Sequence, residues 1–325
     1  MAILYIDRRG AALELDGQTL VLRCQGERLA AFPLRGTERV VIRRAEQISV
    51  NLLAALGERG IGLLVLHGRR GEAAAQLLGA PHGDVTRRIG QFLLASTSSA
   101  AFRLAGFAIR GKIIGHLRFL DEAVAAYSHP RQRNALEAAR LALTECLSRL
   151  RASADLETAR GIEGAAASAF WQAYAHLFAP HLGFAGRNRR PPRDPVNATL
   201  SLAYTLLFSD AVQAIAIAGL DPLLGFLHAP LAGRASLACD LVEFVRPAAD
   251  RFVWQLFRER ALRAEHFSRH EGACLMGKAA RALFYEAYES FAPRERRRLR
   301  HLAAVYVRAA REAVRGIPQI IPDVS

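Results

Sequence analysis

Over the first 80 residues the apolar positions come in short runs punctuated by turn residues. Residues 2–6 form one such run. Leu13, Leu15, Leu20 and Leu22 straddle Asp16-Gly17, a dipeptide suited to a tight hairpin turn. Residues 28–34 and 39–42 continue with apolar and β-branched side chains. The period then changes. Leu52, Leu53 and Leu56 share one helical face, with Gly60 just past the expected end. Residues 61–66 are a further buried-strand candidate. This pattern predicts a small β domain over 1–80 that carries one helix.

Residues 80–84, Ala-Pro-His-Gly-Asp, read as a linker, which places the join at 81–86. Beyond it Ala, Leu and Arg dominate over β-branched residues. That predicts helices over 88–120, 131–151, 156–178, 197–218, 236–263 and 293–315. Pro191-Pro192 and Asp194-Pro195 break the chain between the third and fourth of these. The expected fold class is α+β: a small β-rich N-terminal domain, then a larger all-helical domain over 87–315. Residues 316–325, with two prolines, read as a loose tail.

With 325 residues and 51% hydrophobic side chains, the chain can bury a sizeable core across two domains. Its net charge is +14, and 42 of the 44 cations are arginine. A base-composition bias explains arginine over lysine but not the excess of positive charge, which points to a polyanionic partner. Of that charge, +3 lies in residues 1–80 and +11 in the helical part, so polyanion contact is expected there. The four cysteines, at 24, 146, 239 and 274, form no C-x-x-C pair. A disulfide framework or thiolate zinc site is therefore not expected. The N-terminus carries no long apolar run with a cleavage site, and a cytoplasmic location is expected. Residues 200–220 are long and apolar enough to imitate a membrane span. Asp210 at their middle would cost about 2.5–3.5 kcal/mol in a bilayer, which favours a buried core helix and no membrane.

Four residues carry candidate chemistry. Glu163 shares a helical face with Ala166, Ala167 and Phe170, so its carboxylate needs a partner, which an arginine could supply. His228 lies in a loop, Gly225-Phe226-Leu227-His228, where a histidine is commonly just hydrogen-bonded or solvated. Asp240 and Glu243 stand at i and i+3, on one shoulder of the apolar stripe Leu237, Leu241, Phe244, Val245, with Ser236 as expected N-cap. Alone, the pair also reads as a solvated helix face. Together the four make an oxygen-and-nitrogen donor set that suits Mg²⁺ or Mn²⁺ better than zinc. Such an ion serves phosphodiester cleavage or transfer. Arg187, Arg189, Arg190 and Arg193 in one loop, and Arg294, Arg296, Arg297, Arg298 and Arg300 on the last helix, are candidate phosphate contacts.

These residues occur in stretches that resemble a known family, the CRISPR-associated adaptation integrases. The stretches are Ile3-Leu4-Tyr5-Ile6-Asp7; Arg189-Arg190-Pro191-Pro192-Arg193-Asp194-Pro195-Val196-Asn197; Gly219-Leu220-Asp221-Pro222 followed by Gly225-Phe226-Leu227-His228; and Leu237-Ala238-Cys239-Asp240-Leu241-Val242-Glu243 up to Arg246-Pro247. Glu163-Gly164 with small residues after it also matches, and the order is that of the family. The resemblance implies a metal-dependent DNA endonuclease and integrase that inserts spacers into a CRISPR array in antiviral defence. It implies Glu163, His228 and Glu243 as metal ligands, with Asp240, one turn earlier, assisting or holding a second ion. Asp240→Ala is accordingly expected to hurt less than Glu243→Ala. It further implies a homodimer formed through the β domains, a protospacer duplex and CRISPR repeat as DNA partners, and a smaller CRISPR-associated protein bridging two dimers. A non-catalytic DNA-binding scaffold of the same fold is the alternative. Such a scaffold should have lost one of the three ligands, and this chain retains them all.

Overall fold

The computed structural model describes residues 2–68, 71–79, 82–188 and 191–315. Two compact units divide between Gly83 and Asp84.

In the first unit, β1 (Ala2–Asp7) pairs in parallel with β5 (Thr37–Arg43), and β5 in parallel with β7 (Gly62–His67). β8 (Glu72–Leu77) closes that sheet in antiparallel register with β7. The second sheet runs β4 (Glu27–Pro33), β3 (Thr19–Cys24), β2 (Ala11–Asp16), β6 (Gln47–Ile48). The β2–β3 hairpin turns at Gly17, which holds φ +59°, a conformation glycine adopts without penalty. Helix α1 (Val50–Glu58) starts at Ser49, whose side chain accepts from Leu52 N at 3.2 Å. Leu52 and Leu56 join Leu13, Leu20, Val40 and Leu63 in the unit's core. Consecutive apolar residues in β5 and β7 follow from their place inside a mainly parallel sheet, where both faces are covered.

The second unit is helical: α2 (Thr86–Ser96), α3 (Ser98–Ala126), α4 (Pro130–Ala152), α5 (Leu156–Ala175), α6 (Pro195–Ile217), α7 (Ser236–Arg258) and α8 (Lys278–Val314). It differs from the sequence expectation in four places. The helix expected over 88–120 is two helices, α2 and α3, bent by 97° at Thr97. There the Ser96 and Thr97 hydroxyls donate back to the Phe92 and Leu93 carbonyls, and Thr97 turns extended. Helix α7 stops at Arg258, not 263, where Arg260 adopts positive φ. A hairpin, β9 (Phe267–His270) and β10 (Ala273–Met276), follows, its turn set by Glu271 and Gly272, both at positive φ. Helix α8 begins at Lys278, not Pro293, and runs through that proline because Phe284, Tyr288, Ala292 and Leu299 keep one continuous buried face.

Helix α6 is the apolar stretch that imitated a membrane span, and 67% of its most apolar window is buried within the unit. Its central Asp210 accepts from Arg296 Nε at 3.1 Å and from the Tyr288 hydroxyl at 3.2 Å, both on α8. The four cysteines are free thiols. The tail 316–325, and Ala80 and Pro81 of the expected linker, lie outside the described residues.

Candidate active site

Two glycines on α3 bring it onto α7. A Cβ on Gly115 would stand 2.7 Å from Pro247 Cγ, and one on Gly111 would overlap the Phe244 ring. The close approach places Lys112, between those glycines, against the acidic face of α7. Its ammonium lies 2.7 Å from Glu243 Oε2 and also pairs with Glu163 Oε1 on α5. One turn along α7, Arg246 Nη2 stands 3.0 Å from Glu243 Oε1. Burial pushes the Glu243 carboxyl up, but Arg246 and Lys112 outweigh it and hold it at about 2. Glu243 Oε2 is fully buried, and Lys112 is its partner within ion-pair distance.

Asp240, one turn earlier and wholly buried, has a different environment. Its Oδ2 accepts from Phe226 N at 2.6 Å and Leu227 N at 3.0 Å, and its Oδ1 from His228 N at 2.9 Å. The His228 ring Nδ1 lies 2.7 Å from the same Oδ1. A carboxylate accepts only, so Nδ1 carries a proton, an arrangement that in a neutral imidazole leaves the Nε2 lone pair available. Four bonds fill the usual acceptor capacity of a carboxylate. The loop can come this close because residue 225 is glycine: a Cβ there would stand 2.7 Å from the Ser236 carbonyl carbon and 2.9 Å from Asp240 Oδ2. Arg160, one turn before Glu163 on α5, donates to the Leu227 carbonyl from Nε at 3.0 Å and from Nη2 at 2.5 Å. One helix therefore carries Glu163 and anchors the loop of His228.

A buried network supports Arg246 from behind. Its guanidinium lies 4.9 Å from the centre of the Tyr204 ring, on α6, and that of Arg187 lies 5.3 Å away. The Tyr204 hydroxyl donates to Asp250 Oδ1, and His116 Nε2 is 2.9 Å from Asp250 Oδ2. Burial lowers the His116 pKa, partly offset by the bond to Asp250, so the ring is neutral near pH 7. His116 stacks on Phe170 at 3.7 Å.

The structure thus gathers Glu163 and Glu243 around one ammonium, and sets His228 on a loop anchored to both of their helices. Among the described residues, no three His, Cys, Asp or Glu side chains converge closely enough to cage a cation. The donor set nevertheless fits a hard divalent ion: two carboxylates already hold a cation between them, and an imidazole is fixed in the ligating tautomer. The partner expected for Glu163 was an arginine; it is Lys112. Ser236 is not the N-cap of α7. Ala235 holds that position, and the Ser236 hydroxyl donates to the Ala229 carbonyl at 3.0 Å.

The candidate phosphate contacts divide. Arg193 is exposed, whereas Arg187 is enclosed, donating to Asn197 Oδ1 at 2.8 Å and Ser201 Oγ at 3.2 Å. Asn197, wholly buried, ties this loop to Asp194, the N-cap of α6. Arg189 and Arg190 lie outside the described residues. In the α8 cluster Arg296 is buried between Asp210 and Glu289, which makes it a core ion pair and not a phosphate contact. Arg294, Arg297 and Arg300 are exposed. Sequence reasoning missed Lys112, Arg160, Tyr204 and Asp250. Lys112 had a signal: it is one of only two lysines in a chain with 42 arginines.

Comparison with known proteins gives a consistent picture. The sequence profile of the family described as CRISPR associated protein Cas1 matches residues 4–290. A protein of Thermodesulfovibrio yellowstonii named CRISPR-associated endonuclease Cas1 is 35% identical over 301 residues, 91% of this chain and 93% of its own. A solved Cas1 protein from Thermotoga maritima has the same fold, with TM-score 0.83 at 19% identity over 95% of this chain and 97% of that one. A casposase bound to integration product aligns with TM-score 0.80 at 18% identity, covering 95% of this chain and 91% of that chain.

Proposed function

The chain belongs to the Cas1 family of CRISPR-associated proteins, and from that premise we propose that it is a DNA endonuclease and integrase acting at Glu163, His228 and Glu243. Its role is the insertion of foreign-DNA spacers into a CRISPR array, by attack of a 3′-hydroxyl of a short duplex on a phosphodiester of the repeat. The observation that carries this reading is the pair of carboxylates held at one point by a cation, beside a histidine whose tautomer a buried aspartate fixes.

Glu163, Glu243 and His228 Nε2 would hold Mg²⁺ or Mn²⁺. When bound, that ion supplies positive charge opposite the oxygens of the scissile phosphate. The chain's own residues do the rest. Asp240 orients His228 and closes the loop onto α7. Arg246 keeps Glu243 ionised, and the Tyr204 ring, whose hydroxyl donates to Asp250, lies against that guanidinium. Exposed arginines, Arg193 among them, hold DNA through phosphates, which positions the duplex without reading its sequence. Asp240 is in this reading a positioning residue. The chain acts as a cytoplasmic homodimer through its β unit, with a smaller CRISPR-associated protein bridging two dimers.

The scaffold alternative has one observation behind it: an ammonium, not a third ligand, stands between the two glutamates. Incubating duplex DNA and Mn²⁺ with the protein separates the two readings. Cleavage or strand transfer that collapses in Glu163→Ala, His228→Ala and Glu243→Ala supports the enzyme. Wild-type rates in His228→Ala with metal still bound overturn the site assignment.

A further inference from the structure

Lys112 is the one charge at the centre of the site that the proposed chemistry does not use. Its side chain is 8% exposed, and it touches both glutamates that would ligate the ion. Two carboxylates brought to one point repel, and with Glu243 buried and Glu163 half-buried a counter-charge there relieves that repulsion. A chain that uses arginine 42 times places a lysine at this position. The difference is physical. A guanidinium is a rigid planar fork that grips carboxylates through two parallel bonds, whereas an ammonium is a compact point charge on a flexible stem. Of the two, the ammonium is nearer a metal ion in shape, and its stem can move it away. Glu243 Oε2 meets the ammonium at 2.7 Å, within ion-pair distance.

We propose that Lys112 is an exchangeable counter-ion, whose ammonium keeps Glu163 and Glu243 together in the metal-free protein and yields its place when the divalent ion binds. The inference rests on the reading of Glu163 and Glu243 as metal ligands. It explains how a buried Glu243 and a half-buried Glu163 can stand together before an ion arrives. It also makes metal affinity a difference between two cations competing for the same oxygens.

The chain's two lysines make this measurable on the wild-type protein. Lys278 is exposed at the start of α8, a built-in reference for Lys112. The intact protein is acetylated briefly with N-hydroxysuccinimidyl acetate, with and without Mn²⁺, and labelling at each lysine is quantified by mass spectrometry. Manganese binding is followed separately by calorimetric titration. The exchange predicts a severalfold rise in the Lys112-to-Lys278 ratio when Mn²⁺ is bound. It also predicts that Lys112→Met binds Mn²⁺ about tenfold more tightly, as removal of a competitor worth about 1.4 kcal/mol would give. Manganese that binds while the ratio stays flat or falls, or binds Lys112→Met no tighter than wild type, overturns the exchange and leaves the metal reading standing. No manganese binding to the wild type overturns the metal reading and the exchange with it.

Discussion

Asp240 and Glu243 sit one turn apart on the same helix, both buried, yet their surroundings have little in common. Asp240 is surrounded by donors that belong to a loop: three backbone N–H groups and one imidazole. Glu243 is surrounded by cations from two helices. The first arrangement uses up a carboxylate to shape the backbone. The second keeps a carboxylate charged between an ammonium and a guanidinium. Spacing of i and i+3 put both on one face of α7, but only the partners distinguish a clamp from a candidate ligand.

The sharpest way to break this contrast is to remove the clamp. Asp240→Ala strands three backbone N–H donors, those of Phe226 and Leu227 buried and that of His228 half-buried, at roughly 1–3 kcal/mol each. We expect a loss of more than about 3 kcal/mol in unfolding free energy, the largest of any change at the site. Glu243→Ala is expected to cost more activity, and Asp240→Ala more stability. Denaturant melts and DNA cleavage assays on the two variants check the crossing of the two rankings.

The second contrast is in pH. Glu243 is held at about 2, against an ordinary value of 4.5. A depressed carboxyl contributes stability that is fully present above about 4.5 and is lost as pH falls through about 2, because the unfolded chain takes up the proton first. The stability gap between wild type and Glu243→Gln should therefore be constant above pH 4.5 and narrow below it. Unfolding curves at a series of pH values give that gap directly; a gap that widens on acidification contradicts the cationic pocket.

Smaller effects separate shape from charge. Gly225→Ala drives a methyl group into the start of α7 and toward Asp240 Oδ2. We expect a loss of about 1–3 kcal/mol, typical of overpacking, with His228 less firmly tethered. Smaller still is Arg193→Ala. This exposed arginine should change stability by less than about 0.5 kcal/mol while flattening the plot of log DNA affinity against log salt by about 0.9 unit. Arg187→Ala should do the reverse, since Arg187 is bonded to Asn197 and Ser201.

Much of this was legible in the sequence. The β hairpin at Asp16-Gly17, the helix after Ser49 and the helical run beyond the linker follow from turn chemistry and period, which are local. The α2–α3 bend was not legible, because Ser and Thr hydroxyls act through carbonyls that only a formed helix presents. Strand β8, Glu-Ala-Ala-Ala-Gln-Leu, has none of the β-branched residues that favour a strand and is made one by pairing with β7. At the site, Glu163, His228, Asp240 and Glu243 were all named. What the sequence withheld is which groups meet: Lys112 and Glu243 stand on different helices, and the glycine-lined approach of α3 to α7 brings the two together.

The central claim is the division of labour on α7, with Glu243 beside His228 and Glu163 as ligands and Asp240 as the clamp. A crystal structure of the protein soaked in Mn²⁺, phased to show anomalous scattering from manganese, tests it most directly. The account predicts a peak bonded to Glu163, Glu243 and His228 Nε2, with the amides of Phe226, Leu227 and His228 still donating to Asp240. A peak bonded to Asp240, with that loop released from α7, would contradict it.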